Sequence, residues 1–233
     1  MRYLGGKSKI AKQIAEIINN STGGGTTFVS LFCGSCVIES LINADKKILN
    51  DKHEYLIAMY KALQNGYELP ENLTKEEYYN IKANKDNDKA LAGFVGFGCS
   101  FGGKWFGGYA KNRVGRNYCL EAKKHTMKLW NGIKNAEFVC KDYREVEIPA
   151  NAIIYADPPY MNTTQYSNSK NFDYNEFWDY MRQLSKDHIV FISEENAPED
   201  FKCVWSKEVK RVLDVNKTNI QSKTEKLFVF NRD

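Results

Sequence analysis

Apolar positions recur along this chain at two spacings. Ile10, Ile14, Ile17 and Ile18 fall on one stripe and predict a helix over Lys7 to Asn19. Thr26 to Phe32 is a short apolar run bounded by glycines and reads as a strand. Cys33-Gly34-Ser35 then makes a small-residue turn, Val37 to Ile42 predicts a helix, and Lys47 to Asp51 predicts a strand ending on an acid. Helices are expected over His53 to Gly66, Thr74 to Asn84, Ala90 to Phe97, Tyr118 to Lys134 and Tyr174 to Leu184. Thr74 to Glu77 has the form of a capping box. Strands are expected over Glu137 to Cys140, Ala152 to Ala156, His188 to Ser193, Cys203 to Val209 and Leu227 to Phe230. Strands alternating with helices argue for an α/β sheet covered on both faces. Residues 66–135 carry few strand signals and read as an insertion, leaving 1–65 and 136–233 as the main body.

The densest chemistry follows the apolar run Ala152 to Ala156. Asp157-Pro158-Pro159-Tyr160 puts a carboxylate at a strand's carboxyl end, two prolines behind it and a ring at the tip. Ligands of open α/β sheets bind at that edge. Each proline fixes φ, lacks an N–H and pushes the preceding residue toward extended backbone. The carbonyls of Asp157 and Pro158 are then free to face a flat, amino-bearing group, on which Tyr160 could stack. Earlier in the chain, Asp51 lies about 20 residues beyond the first strand's end. Strand, glycine turn, helix, strand and acid form the layout in which nucleotide-binding folds grip ribose hydroxyls.

Composition narrows the class. With 233 residues, 42% hydrophobic and 27% charged, the chain is an ordinary globular protein. No apolar run approaches the roughly 20 residues that span a bilayer, and the N-terminus has no signal-like apolar core. A cytosolic protein with six reduced cysteines, no membrane association and no metal site is expected. From Gly102 to Lys134, eight basic residues face the single acid Glu121, although the whole chain is only +4. That concentration suggests a polyanion partner held locally. Between Gly96 and Gly115, glycines interleave with aromatic and basic residues. Lys104, Lys111, Arg113 and Arg116 are candidates for phosphates or base edges, and Trp105 and Tyr109 for a wedge or stack in nucleic acid.

At this point the chain resembles the Dam-type (D12 class) DNA adenine-N6 methyltransferases. Tyr3-Leu4-Gly5-Gly6-Lys7, Phe32-Cys33-Gly34-Ser35, Asp51, Asp142 and Asp157-Pro158-Pro159-Tyr160 match in type and order. The resemblance implies a Rossmann-like methyltransferase sheet, mostly parallel and seven-stranded, with an antiparallel strand near its end. It implies a largely helical inserted target-recognition subdomain, S-adenosylmethionine as cofactor and double-stranded DNA as partner. No metal and no obligate protein partner are implied, and a bacterial cytoplasm is the expected setting, with viral or cellular origin open. Tyr3 and Lys7 would lie over the cofactor, Phe32, Cys33, Gly34 and Ser35 near its methionine part, and Asp51 at its ribose. Asp142 and Tyr143 would meet its adenine. Asp157 and the Pro158 carbonyl would accept the two N–H bonds of an extruded adenine amine, localising its lone pair for attack.

Rival readings remain at this stage. Cytosine N4 or an RNA base could replace adenine N6, and the chain could be a DNA-binding module without turnover. Cys33-Gly34-Ser35-Cys36 between strand and helix also fits a thioredoxin-like dithiol oxidoreductase, although that fold ignores Asp51 and Asp157.

Overall fold

The computed structural model describes residues 3–111, 115–159, 172–212 and 220–232. Five strands lie parallel: β1 (Thr27–Ser30), β2 (Lys46–Asn50), β3 (Glu137–Val139), β4 (Ile153–Ala156) and β5 (Ile189–Glu194). A long hairpin of β6 (Phe201–Val212) and β7 (Ile220–Phe230) completes a seven-stranded sheet in the order β3-β2-β1-β4-β5-β7-β6. Only β7 runs against the others, pairing antiparallel with both β5 and β6. The expected mostly parallel sheet with a late antiparallel strand is therefore present.

Alternate residues of these strands feed two apolar layers, as a pleated sheet requires. Phe28, Tyr155 and Phe191 point into one layer with Ile14 of α1 (Ala11–Asn19) and Leu56 of α2 (Glu54–Gln64). Val29, Ile154 and Ile192 point into the other, against Phe177 and Met181 of α6 (Tyr174–Leu184). Every residue of β4 is buried, which suits a central strand covered on both sides.

Between α2 and β3 lie α3 (Lys75–Ala83), α4 (Lys89–Gly98) and α5 (Tyr118–Trp130). Their starts are fixed by side chains. Thr74 and Glu77 form the reciprocal capping box, Asp88 accepts from Leu91 N–H, and Asn117 accepts from Leu120 N–H. These helices do not enclose a core of their own. Tyr78, Phe94 and Phe97 join the same apolar layer as Ile14 and Phe28. The approach of α4 to α2 is close enough that a Cβ on Gly93 would stand 2.0 Å from the Tyr55 carbonyl oxygen.

One expected element is absent. Val37 to Ile42 forms a single 3-10 turn, Glu39–Leu41, and not a helix. Cys36 at φ 56° interrupts the helical backbone before it. After it, the Asn19 side chain binds Leu41 O and Asn43 N–H, closing the turn at 3.0 and 2.8 Å. Among the described residues, no helix is long and apolar enough to cross a membrane.

Candidate active site

The sheet order reverses direction between β1 and β4, so the switch point of the fold lies there. The carboxyl ends of β1, β2, β3, β4 and β5 share one edge because these strands are parallel. That edge brings together the turn after β1, Asp51 after β2, Asp142 after β3 and Asp157 after β4.

The turn after β1 is bolted from several sides. Cys33 N–H donates to Asn50 O at 2.7 Å, and Cys36 N–H donates to Cys33 O at 2.8 Å. Gly34 N–H donates to Asp51 Oδ2 at 2.9 Å, and Gly34 O accepts from the Tyr60 hydroxyl at 3.0 Å. Asp51 Oδ1 accepts from His53 N–H at 2.8 Å. Burial raises the Asp51 pKa, and the two backbone N–H groups oppose that rise. Gly34 sits at φ +47°, and a Cβ there would stand 3.1 Å from the Tyr3 ring. The Tyr3 ring thus covers the turn, with Phe97 4.8 Å behind it. Ser35 is buried beside them.

Neither cysteine of this turn suits redox chemistry. Cys33 and Cys36 are buried free thiols, and desolvation pushes both upward in pKa, Cys33 strongly. A dithiol nucleophile needs the opposite shift.

Asn50 ties neighbouring strand ends together. Its Nδ2 donates to Leu31 O and Lys141 O, and its Oδ1 accepts from Lys141 N–H. Asp142 follows as the N-cap of the 3-10 turn Tyr143–Glu145. Its Oδ1 accepts from Arg144 and its Oδ2 from Lys52 at 3.1 Å. Those cations, Arg144 first, hold its carboxyl well below the usual range. Phe32 meets Tyr143 with ring centroids 5.3 Å apart, and Phe172 and Phe177 surround the pair. Tyr143 is buried in this aromatic floor and Phe32 is half-buried.

Asp157 leaves β4 beside this edge. Its Oδ1 lies 2.9 Å from Lys7 Nζ, and the side chain keeps 22% of its exposure. Lys7 comes from the turn before α1 and is buried; its Nζ also lies 3.5 Å from Glu225 Oε2 on β7. Burial raises the Asp157 pKa, Lys7 lowers it, and Glu225 raises it again. Pro158 is buried and Pro159 half-buried. The Pro159 carbonyl accepts from the Tyr174 hydroxyl, which fastens the end of the segment to α6. Tyr160 lies outside the described residues.

Three carboxyls near this pocket carry no sequence signal. Glu39 is buried, accepts from Ser30 Oγ at 2.8 Å and is pushed up to about 8 by burial. Glu194, at the end of β5, is buried and pushed up to about 7, again mainly by desolvation. Glu225 is the third. A long-range contact singles out Glu225, since Lys7 lies 218 positions away in the chain.

The basic segment divides. Lys104 and Lys111 are exposed, while Arg116 is exposed but paired with Glu121 and set over the Tyr118 ring at 5.5 Å. Arg113 lies outside the described residues. Trp105 and Tyr109, expected as wedge or stacking residues, are packed inward. Trp105 fits against Gly96, which has no side chain to keep it out, among His53, Tyr55, Phe97 and Phe106. The Tyr109 hydroxyl donates to Leu73 O at 2.6 Å. Phe101 in this segment is 65% exposed.

Over residues 3–93 and 105–227 the chain matches the D12 class N6 adenine-specific DNA methyltransferase family. It belongs to that family. The Type II methyltransferase M.FokI of Planomicrobium okeanokoites is 22% identical over 210 residues, covering 79% of this chain and 32% of that protein. The chain thus spans about a third of the length of that relative. Among solved structures, the rRNA methyltransferase aviRa of Streptomyces viridochromogenes aligns over 98% of this chain and 86% of its own, at TM-score 0.47 and 11% identity. The tRNA (m1A58) methyltransferase TrmI of Aquifex aeolicus aligns over 97% and 69%, at TM-score 0.42 and 10% identity. The D12 match spans the turn after β1, Asp51, Asp142 and Asp157 together.

Proposed function

We propose that this chain transfers a methyl group from S-adenosylmethionine to N6 of an adenine turned out of duplex DNA. The observation that supports this most is the meeting of Lys7 and Asp157 at the sheet's switch point, one strand from the Gly34 turn. The donor set suits the cofactor. Asp51 has both oxygens anchored on backbone N–H groups, which orients its remaining lone pairs for ribose hydroxyls. The turn Phe32 to Ser35 and the ring of Tyr3 suit the methionine part, and Asp142 and Tyr143 suit the adenine. When bound, the cofactor supplies an activated methyl on a sulfonium.

The chain's own residues prepare the acceptor. An adenine amine is a poor nucleophile because its lone pair is delocalised into the ring. Asp157 accepts one N–H and the Pro158 carbonyl the other, so the lone pair localises on nitrogen. The same two oxygens stabilise positive charge as it develops there. With the Pro159 carbonyl held by Tyr174, the proline segment cannot relax away from the amine. Tyr160 stacks on the extruded base, a contact of roughly 1–3 kcal/mol. Extrusion is required because the amine is out of reach inside a duplex.

Residues 1–65 and 136–233 act as the catalytic body, and 66–135 as the target-recognition region. Lys104, Lys111, Arg113 and Arg116 contact the DNA. Arg116 would exchange Glu121 for phosphate or a base edge.

The test is incubation of unmethylated duplex DNA with labelled cofactor, followed by nucleoside analysis. N6-methyladenine at defined positions is the expected product. N4-methylcytosine, or label in RNA alone, would overturn the assignment.

A further inference from the structure

We infer that Glu225, on the antiparallel strand β7, is a positioning residue for the Asp157 pocket. It holds Lys7 at one oxygen of Asp157 so that the other stays turned to the amine. The inference rests on the methyltransferase reading above. Its ground is a row of alternating charges. Lys7 Nζ lies 2.9 Å from Asp157 Oδ1 and 3.5 Å from Glu225 Oε2. Glu225 Oε1 lies 3.6 Å from Lys223 Nζ, which in turn lies 2.7 Å from Glu195 Oε1. Lys7 and Glu225 are both buried, at 7% and 5% exposure, so neither charge is there for solubility. A buried charge is retained at a cost and calls for a reason.

Register places these groups on one sheet face. Tyr155 shares a face with Asp157, and its hydroxyl meets Ser193 Oγ at 2.9 Å. Ser193 pairs with Leu227, two residues from Glu225 and on its face. The antiparallel strand therefore returns a carboxylate to the edge where the parallel strands end.

A lysine attracted by Asp157 alone would be free to bridge both of its oxygens, blocking the acceptor the amine needs. A second carboxylate behind the ammonium draws it back and fixes it at Oδ1. Among the described residues, the charged and titratable groups acting on this carboxyl include Lys7 from the N-terminal segment, Glu225 and Lys223 from β7, Glu194 from β5 and Glu39 from the 3-10 turn. Tyr155 acts from its own strand. Lys7 pulls the Asp157 pKa down and Glu225 pushes it up. Glu225→Gln should therefore lower it, since the charge that raises it and draws Lys7 back is gone.

Carbon-13 NMR titration of the Asp157 carboxyl in the protein alone reads this directly. Glu225→Gln should move the midpoint down by roughly half a pH unit or more, and Glu225→Asp, which keeps the charge, should stay near wild type. With DNA and cofactor, Glu225→Gln should lower kcat roughly 10-fold or more with KM for DNA within about twofold, and Glu225→Asp should recover part of the rate. A midpoint that does not move in Glu225→Gln would overturn the inference, as would equal behaviour of the two variants. A measurement on the wild type alone serves if a variant does not fold. NMR of the Lys7 ammonium should report hydrogen bonds to both carboxylates, and a bond to Asp157 alone would overturn the inference. A wild-type protein that methylates no DNA would sink the methyltransferase reading instead, with the titration unaffected.

Discussion

Lys7 Nζ stands 2.9 Å from Asp157 Oδ1, joining the segment before the first helix to the carboxyl end of the central strand. Burial raises the Asp157 pKa, Lys7 opposes that rise, and the fixed cation aims the carboxyl. Asp157→Ala should lower methyl transfer by about 10²-fold to 10³-fold or more, the scale of a lost preorganised electrostatic contact. Circular dichroism should remain that of the folded protein, because Lys7 keeps Glu225 as a partner. Labelled methyl incorporation checks the first point; activity near wild type would remove Asp157 from the chemistry.

Removing the cation is a different perturbation. Lys7→Met leaves Asp157 and Glu225 facing each other without the positive charge between them. Breaking a buried ion pair from one side costs about 3–5 kcal/mol. Urea unfolding should show a loss of that order with an unchanged m value. A variant as stable as wild type would mean the three groups are not desolvated together.

The pH dependence of stability should bear the mark of Glu39. Its folded-state pKa, about 8, lies above that of an ordinary glutamate because burial penalises the charged form. The folded state then holds a proton that the unfolded chain releases. Stability from this group is full below the unfolded pKa and is lost as pH rises toward 8. Glu39→Gln keeps an acceptor for Ser30 Oγ and has nothing to ionise. Its melting temperature should therefore fall less than that of wild type between pH 5 and 8. Parallel curves for the two proteins would contradict the assignment.

Gly93 tests how tightly the helices after α2 belong to the body. A Cβ at that position would lie 2.0 Å from the Tyr55 carbonyl oxygen, so α4 must move off α2 to admit it. Gly93→Ala should cost about 1–3 kcal/mol in chemical denaturation, as for overpacked cores. A stabilised variant would show that the contact is loose.

Much of this arrangement was legible where the signals were local. Asp173 caps α6, and the predicted span Tyr174 to Leu184 is the one the helix occupies. Thr74 and Glu77 form the box their spacing predicts. The parallel strands β2 and β4 announced themselves as short apolar runs ending on Asp51 and Asp157. The hairpin of β6 and β7 is longer than the spans expected from sequence, because ladder pairing runs on past Val209 to Val212, and β7 begins at Ile220, well before Leu227. The 3-10 turn at Glu39 was illegible because Asn19, far upstream, closes it. The packing of Trp105 was not legible, because the space it fills is left by Gly96 of α4. The pairing of Lys7 with Glu225 could not be read from sequence spacing, since only the return of β7 brings them together.

The most direct measurement is a crystal structure with duplex DNA and a non-reactive cofactor analogue. The account predicts one adenine outside the helix, its N6 within hydrogen-bond reach of Asp157 Oδ2 and the Pro158 carbonyl, with Lys7 still on Oδ1. An adenine left stacked in the duplex, or an N6 turned away from Asp157, would contradict it.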